Sequence, residues 1–590
     1  MRYTETDGCL KDLYLENSNV NWVEGTLHLW GECVCPIGIT AKVNRTFFNN
    51  VLSEEYVFTN VTENDIKIEK GDLGIWATFN DSYEGAKVCK DKRCHAHIWL
   101  GGSCSWVNAL AMKAEPPHFA LMLTKGSLCA YSQERENCSN DRGDILLLSS
   151  PITIKAGESY VIAWDLFEHN GDFTKKAKTY PNYLNVESDY FTFFENEEAS
   201  VLINGEKTVL NNELGYHTVN VGTAYFRYQI KPQLLDLAYR RCKFIMDYQQ
   251  ETNNSFLNGA YLIYDNEDKC RYFEEKFNAN HNAGRERIAM GLLMAKYLQR
   301  NYDADLHNSL KKYTAFVLRE YFDEETGKVI NRAFEKDGAR RIYNNAWYAS
   351  FWRELYKLEK DVRWAKCMFK AYVDLYENGG KEFYPLSAEL TDTIRVLESA
   401  NLINEKEILL NYFIINADFL LKQGTDYPNF EVNYEDNIVI PAGVVLVQAY
   451  ELTGNKRYLE EAIKHAKMHD IFVGFQPDAR MHGASVHHWD DFWFGKRRMY
   501  GDTYPHYWST AGAMLYAYMS MHTDNKEYIQ KARACLRTGL SSFFDDGSAT
   551  CAIVTPYKIN GMKGEFIDPW ANDQDWALYH ALVFDEEFGL

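Results

Sequence analysis

The chain has 590 residues, a formal net charge of −20 and 46% hydrophobic residues. The acidic balance excludes the basic footprint needed to wrap nucleic acid or lie on an anionic membrane, and the hydrophobic fraction excludes a disordered chain. No stretch reaches the roughly 20 apolar residues of a membrane span, and the length points to about two to four domains or one unusually large one. Aromatic residues make up 15% of the chain. They fill a large core, or they offer stacking faces to a ring-shaped ligand.

The opening segment, MRYTETDGCLKDLYLENSNV, has no basic stretch followed by an apolar run. It does not read as a secretory signal, which gives a cytoplasmic expectation. Of 13 cysteines, eight fall in the first 138 residues: Cys9, Cys33, Cys35, Cys89, Cys94, Cys104, Cys129 and Cys138. A chain of this size needs no disulfide staples, so buried free thiols are expected. Cys89 and Cys94, followed by His95 and His97, form a loose zinc candidate.

Up to about residue 225 the pattern is short and alternating. GTLHLWGECV, EEYVFTNV, DIKIEKG, LGIWATFN, HFALMLT, DILLLSS, ESYVIAWDLFEH and ASVLING read as strands punctuated by Gly, Asn, Asp and Pro. Many short strands with regular turns indicate an antiparallel β-sandwich or barrel over residues 1–225.

From residue 226 to 590 the period becomes helical. Twelve segments are expected, near 232–250, 284–300, 304–321, 344–359, 361–377, 386–400, 404–422, 438–453, 456–472, 505–521, 525–541 and 572–584. Pro441 and Pro505 are placed in first turns, where a missing N–H costs nothing. IVIPAGVVLVQAY and WSTAGAMLYAYMS are almost wholly apolar or small, whereas the segments near 456–472 and 525–535 are charged on one face. Buried and exposed helices in alternation describe a double ring, an (α/α)6 toroid, with a solenoid as the competing arrangement. The fold class is therefore α+β multidomain, an N-terminal antiparallel β-sandwich followed by an (α/α)6 toroid.

Four polar clusters precede segments assigned to the inner ring. The first is the loop 252–283, with His281, leading to Arg285, Glu286 and Arg287. The second carries Glu431, Asn433, Tyr434, Glu435 and Asp436. The third, residues 477–509, holds His487, His488, Trp489, Asp490, Asp491, Trp493, Arg497, Arg498, Asp502, Tyr504, His506, Tyr507 and Trp508. The fourth, EFIDPWANDQDW, holds Trp570, Asp573 and Asp575. Inner helices of a toroid start at the same end, so the clusters converge on one mouth. Carboxylates there can supply the acid and base of glycosidic cleavage, aromatic faces can stack on sugar rings, and Arg can fork onto an acidic sugar. The chain lacks a phosphate-binding loop, a G-x-S-x-G elbow and an H-E-x-x-H helix.

HHWDDFWFGKRRMYGDTYPHYWSTAGAMLYAY and NYEDNIVIPAGVVLVQAYELTGNKRYLEEA resemble the six-hairpin glycosidase superfamily. An all-β domain ahead of the helices is similar to its glucoamylase-like and phosphorylase-like members, where it is a supersandwich. The narrower likeness is to exo-acting β-glucuronidases. In such enzymes the β domain lends a loop to the mouth, and RCHAHIWLGGSCSW, with His97, is the candidate.

The leading expectation is a glycoside hydrolase releasing a terminal uronic acid such as β-glucuronic acid, without cofactor or metal. Glu435, Asp490, Asp502 and His487 are its catalytic candidates. Arg287, His281, Tyr434, His488, Trp489, Trp493, Arg497, Tyr504, His506, Trp570 and His97 are its substrate-binding candidates. The alternative is a polysaccharide lyase, in which a His or Tyr base removes the C5 proton of a uronate. A non-catalytic glycan-binding protein is the third reading. The expected partner is an oligosaccharide, not nucleic acid or a membrane, and a homodimer stays open.

Overall fold

The computed structural model describes residues 1–136, 141–253, 256–273, 284–331, 340–429, 434–488 and 495–590, with the backbone alone at 284–287. Two six-stranded sheets form the N-terminal part. One runs Ile39–Phe48, Val51–Asn60, Ser159–His169, His118–Lys125, Trp106–Ala111 and Cys94–Trp99, antiparallel throughout. Strand Val51–Asn60 alternates strictly between buried and half-buried positions, as a strand with one face on a core must. The second sheet runs Met562–Lys563, Lys558–Ile559, Leu128–Glu134, Asp144–Ser149, Gly74–Trp76 and Cys33–Val34. Trp22, Trp30, Phe58, Phe119, Leu147 and Trp164 fill the space between them. Glu54 is buried there, but its carboxylate accepts from both indoles, Trp30 Nε1 at 2.8 Å and Trp164 Nε1 at 2.6 Å, and from Arg45 Nε at 2.6 Å. Buried charge is tolerated because both carboxylate oxygens have donors.

The strand-rich part runs beyond residue 225: Gly215–Val221 and Ala224–Lys231 form one hairpin. Lys558–Ile559, from the other end of the chain, pairs in parallel with Leu128–Glu134. The sequence therefore does not cut cleanly into two spatial halves. In GTLHLWGECV only Cys33–Val34 is strand.

Two short helices, α1 (Ala86–Lys92) and α2 (Phe173–Ala177), interrupt the strands. Among the described residues twelve α-helices follow: α3 (Leu234–Phe244), α4 (Gly284–Arg300), α5 (Ala304–Glu320), α6 (Tyr343–Glu359), α7 (Val362–Glu377), α8 (Leu390–Ser399), α9 (Ile403–Gln423), α10 (Asp436–Thr453), α11 (Lys456–His469), α12 (Ser509–His522), α13 (Glu527–Gly539) and α14 (Asp575–Phe588). The even-numbered helices from α4 to α14 touch in a closed cycle, α14 returning to α4. Odd-numbered helices pack outside: α7 on α6, α11 on α10, α13 on α12. The pattern follows composition. All of α10 from Asp436 to Ala449 is buried, whereas α11 buries only one face.

Side-chain caps do not separate the two layers cleanly, since the outer helices α9 and α13 lack one as the inner helices do. The outer helices α5, α7 and α11 are capped by Asp303, Asp361 and Asn455, whose side chains accept the first backbone N–H groups. The inner helices α6, α8, α10, α12 and α14 have no side-chain cap. Pro441 lies inside α10 rather than in its first turn, because the helix begins at Asp436. It removes the N–H that would bond the Asn437 carbonyl. Pro505 precedes α12 and is joined to Tyr504 by a cis bond.

The described cysteines are free thiols. Burial pushes the Cys89 thiol up to about 12, and Cys89, Cys94, His95 and His97 do not form a metal-holding group among the described residues. Among the described residues no helix is long and apolar enough to cross a membrane.

Candidate active site

The uncapped starts of α10, α12 and α14, and the turns before them, bring sequence-distant polar groups together. His487 lies on extended backbone that exchanges hydrogen bonds with Thr503, at 3.1 and 2.8 Å. On such backbone successive side chains point to opposite sides, so His487 and His488 serve different neighbours. His487 stacks on His506, with ring centroids 4.5 Å apart, and Trp508 stands edge-on to both. Tyr507 lies 4.5 Å from the His506 ring. His506 Nδ1 accepts the backbone N–H of Trp508 at 3.4 Å. Its Nε2 then carries the proton and faces Asp573 Oδ2 at 3.9 Å.

His488 points the other way. It stacks on Tyr83 from the β-rich part at 3.9 Å, and its Nδ1 is 4.0 Å from Glu435 Oε2. Tyr83 Oη bonds His95 Nδ1 at 2.7 Å. Glu435 Oε1 accepts from Asn437 Nδ2 at 2.7 Å, and Arg135 Nη1 donates to the His488 carbonyl at 2.8 Å. The cluster thus spans helix starts on one side and the β-rich part on the other.

Its charge state follows from burial. Loss of solvent pushes His487 down to about 3, and holds His95, His488 and His506 well below the usual imidazole range. All four rings are neutral near pH 7, and burial opposes their taking up a proton. Burial holds the Tyr83 phenol well above its usual range, so it stays protonated. Asp436, at the first position of α10, is pushed up to about 6 by burial against an opposing bond from Ser485.

Several residues expected here sit elsewhere. Asp502 is fully buried at the seam between the β-rich and helical parts. It accepts from Arg142 Nη2 at 2.8 Å, Tyr131 Oη at 2.8 Å and Gln133 Nε2 at 2.8 Å. A carboxylate held by three such donors is an interface clamp, not the proton donor the sequence suggested. Arg497 is about half exposed and paired with Glu267 at 3.0 Å, on the outside of the molecule. His97 is fully buried, and its Nε2 bonds the Ile471 carbonyl at 2.7 Å, tying strand Cys94–Trp99 to the helical part. Tyr434 Oη donates to the Met112 carbonyl at 2.8 Å across the same seam. Tyr504 is packed in an apolar cluster with Trp106 and Phe226. Trp570 is buried against Tyr272, with Nε1 on Asp265 at 3.1 Å. His281, Trp489, Asp490 and Trp493 lie outside the described residues, as does the Arg287 side chain.

Glu435, His487, His488 and His506 are therefore the described candidates that share the mouth. Tyr83 and Arg135 join them without having been expected, and His95 joins them from the loop that was expected to reach the mouth. Tyr83 lies in a polar break, Asn80–Asp81–Ser82–Tyr83–Glu84, and nothing in its spacing ties it to residue 488. Tyr507, Trp508 and Asp573 stood in the clusters at helix starts, where a positional signal did exist.

No protein-family model and no curated protein sequence matches the chain. The solved structure of a polysaccharide lyase is 30% identical, with a TM-score of 0.92, covering 100% of this chain and 99% of the other. A family 76 glycoside hydrolase from a bovine Bacteroides thetaiotaomicron strain is a remote likeness, with 10% identity and a TM-score of 0.40 over 84% of this chain and 99% of that one. The unsaturated glucuronyl hydrolase of Bacillus sp. GL1 is equally remote, with 13% identity and a TM-score of 0.35 over 60% and 95%. Over its whole length, in sequence and in backbone, this chain belongs to the family of that polysaccharide lyase.

Proposed function

We propose that the protein is a polysaccharide lyase that cleaves a uronate-containing glycan by β-elimination, and that the closed cycle of helices is an (α/α)6 toroid. The observation that carries this reading is the full-length likeness to a polysaccharide lyase, joined to the stacked His487–His506 pair with Tyr507 beside it at the helix starts. Elimination needs a base for the C5 proton and an acid for the departing O4. The C5–H electrons form the C4=C5 double bond as the C4–O4 bond breaks. His487, stacked on His506, is assigned as the base. Tyr507 is assigned to protonate the leaving oxygen. Asp573 facing His506 Nε2 fixes that ring's orientation. The uncapped N-terminal ends of α10, α12 and α14 lend partial positive charge to a substrate carboxylate, which acidifies its C5–H.

The hydrolase reading loses weight on two counts: the full-length relative is a lyase, and Asp502 is clamped away from the mouth. The narrower likeness to exo-β-glucuronidases finds no support. Incubation with uronate glycans separates the reactions directly. A lyase yields an unsaturated product with new ultraviolet absorbance, whereas a hydrolase yields reducing ends without it. Reducing ends alone would overturn this proposal.

A further inference from the structure

Away from the mouth, an open groove of about 430 Å³ lies between the hairpin Gly215–Lys231 and the paired strands Ile553–Val554 and Phe566–Ile567. Ligand pockets span roughly 300–1,000 Å³, so it is large enough to hold a short saccharide segment. It is separate from the cluster of imidazoles. His487 bridges Thr503, Thr503 bridges Val554, and Val554 pairs with Phe566. Three interstrand steps of roughly 4.8 Å put about 14 Å between the backbones at His487 and Phe566.

The charges lining this groove are unequally matched. Asp478 accepts from Tyr216 Oη at 2.8 Å, from the backbone N–H of Arg480 at 2.8 Å and from Arg227 Nη1 at 3.4 Å. Glu565 is held by Lys70 at 2.5 Å. Arg480 has no carboxylate partner among the described residues. Its guanidinium lies 3.9 Å from the centre of the Tyr216 ring, half-buried, so the aromatic face fixes it without cancelling its charge. Val554 and Phe566 give the groove an apolar wall, and Thr218 and Thr555 add hydroxyls.

We propose that this groove is a second glycan-binding site, taking a uronate-bearing segment of the polysaccharide outside the cleavage site. Arg480 forks onto a ring carboxylate, Phe566 and Val554 meet the C–H face of the sugar, and the threonines reach its hydroxyls. The acidic character of the ligand rests on the lyase reading; the groove itself does not.

The test is native electrophoresis in gels containing polygalacturonate, alginate or hyaluronan, with dextran as the neutral control. The wild type, R480A, R480E and H487A are compared. Wild type and H487A should be retarded equally by at least one acidic polymer and not by dextran. R480A and R480E should weaken that affinity by about tenfold to a hundredfold, the scale of one charge-assisted hydrogen bond. Thermal unfolding of both Arg480 variants should match wild type, since no buried ion pair is broken. Retardation unchanged in R480A and R480E, or absent in the wild type, overturns the proposal. Arg480-dependent retardation without unsaturated product from any uronate glycan keeps the groove and rejects the lyase reading. Unsaturated product with Arg480-independent retardation does the reverse.

Discussion

The seam and the mouth are both buried and both rich in titratable groups, yet they solve the problem of burial in opposite ways. At the seam a buried guanidinium is matched by carboxylates, with burial pushing one of them, Asp81, up to about 6. Arg142 bonds Asp502, Asp81 and the Ala96 carbonyl, and these partners hold its guanidinium well above even its usual range. In the mouth the imidazoles are kept uncharged by the absence of water. A matched ion pair cannot take or give a proton without being broken; a neutral imidazole can. Charge matched on Arg142 holds the two parts together; neutral imidazoles are buried at the seam as well, as at His97, so it is their grouping at the helix starts that points to proton transfer.

The largest effect that would test this contrast belongs to the seam. R142A leaves Asp502 and Asp81 buried without their cation, a loss of about 3–5 kcal/mol. Thermal unfolding should show a large drop in stability or no folded protein at all. A stable R142A would break the comparison, because the seam would then not depend on charge matching.

Next in size is the mouth itself. H487A should lower the turnover of unsaturated product by about a hundredfold or more, the range of general-base removal, while its unfolding temperature falls far less than that of R142A. Equal turnover in H487A and wild type would move the base to another group.

The reach of the sequence follows the same division. Most of the helical segments were legible because they repeat their apolar residues at the helical period over several turns, as in KRYLEEAIKHAKMH, whereas IVIPAGVVLVQAY was legible as an apolar run too long for a strand. That helix starts gather polar residues was also legible, and in the structure Glu435, His487, His488 and His506 lie together at those starts. Asp502 was not legible. Its neighbours Arg142, Tyr131 and Gln133 come from strands more than 300 residues earlier, and chain distance carries no record of that meeting. Tyr83 was missed for the same reason: it joins the mouth by stacking across the seam on His488. Arg497 was misplaced because a basic run beside aromatic residues reads alike whether it faces a pocket or, as here, Glu267.

Acid sharpens the comparison further, and its sign can be worked out. Burial lowers His487, His465 and His580 to about 3 and His97 and His469 to about 4. In the unfolded chain these rings take up protons near pH 6.5. Their folded values are lower, so their stabilising contribution is complete above pH 6.5 and is lost as pH falls. At pH 5 each such ring costs about 2 kcal/mol relative to neutral pH. Thermal unfolding followed from pH 7.5 to 5 should therefore fall steeply below 6.5. A flat profile would mean that the imidazoles are charged or hydrated in the folded protein, and the mouth would lose its neutral character.

The smallest effect is expected at Arg497, and it discriminates well because the sequence pattern puts that residue on the substrate. Its guanidinium is about half exposed, bonds Glu267 at 3.0 Å and lies over Phe566 at 5.4 Å. An exposed pair of this kind contributes about 0–1 kcal/mol, so R497A should unfold close to wild type and keep its turnover within about twofold. A strong rise in KM with kcat unchanged would instead make Arg497 a ground-state carboxylate contact. Released from Glu267, it would then extend the binding surface from the mouth toward the Phe566 strand. A null result leaves substrate charge to the helix ends in the mouth and to Arg480 in the groove.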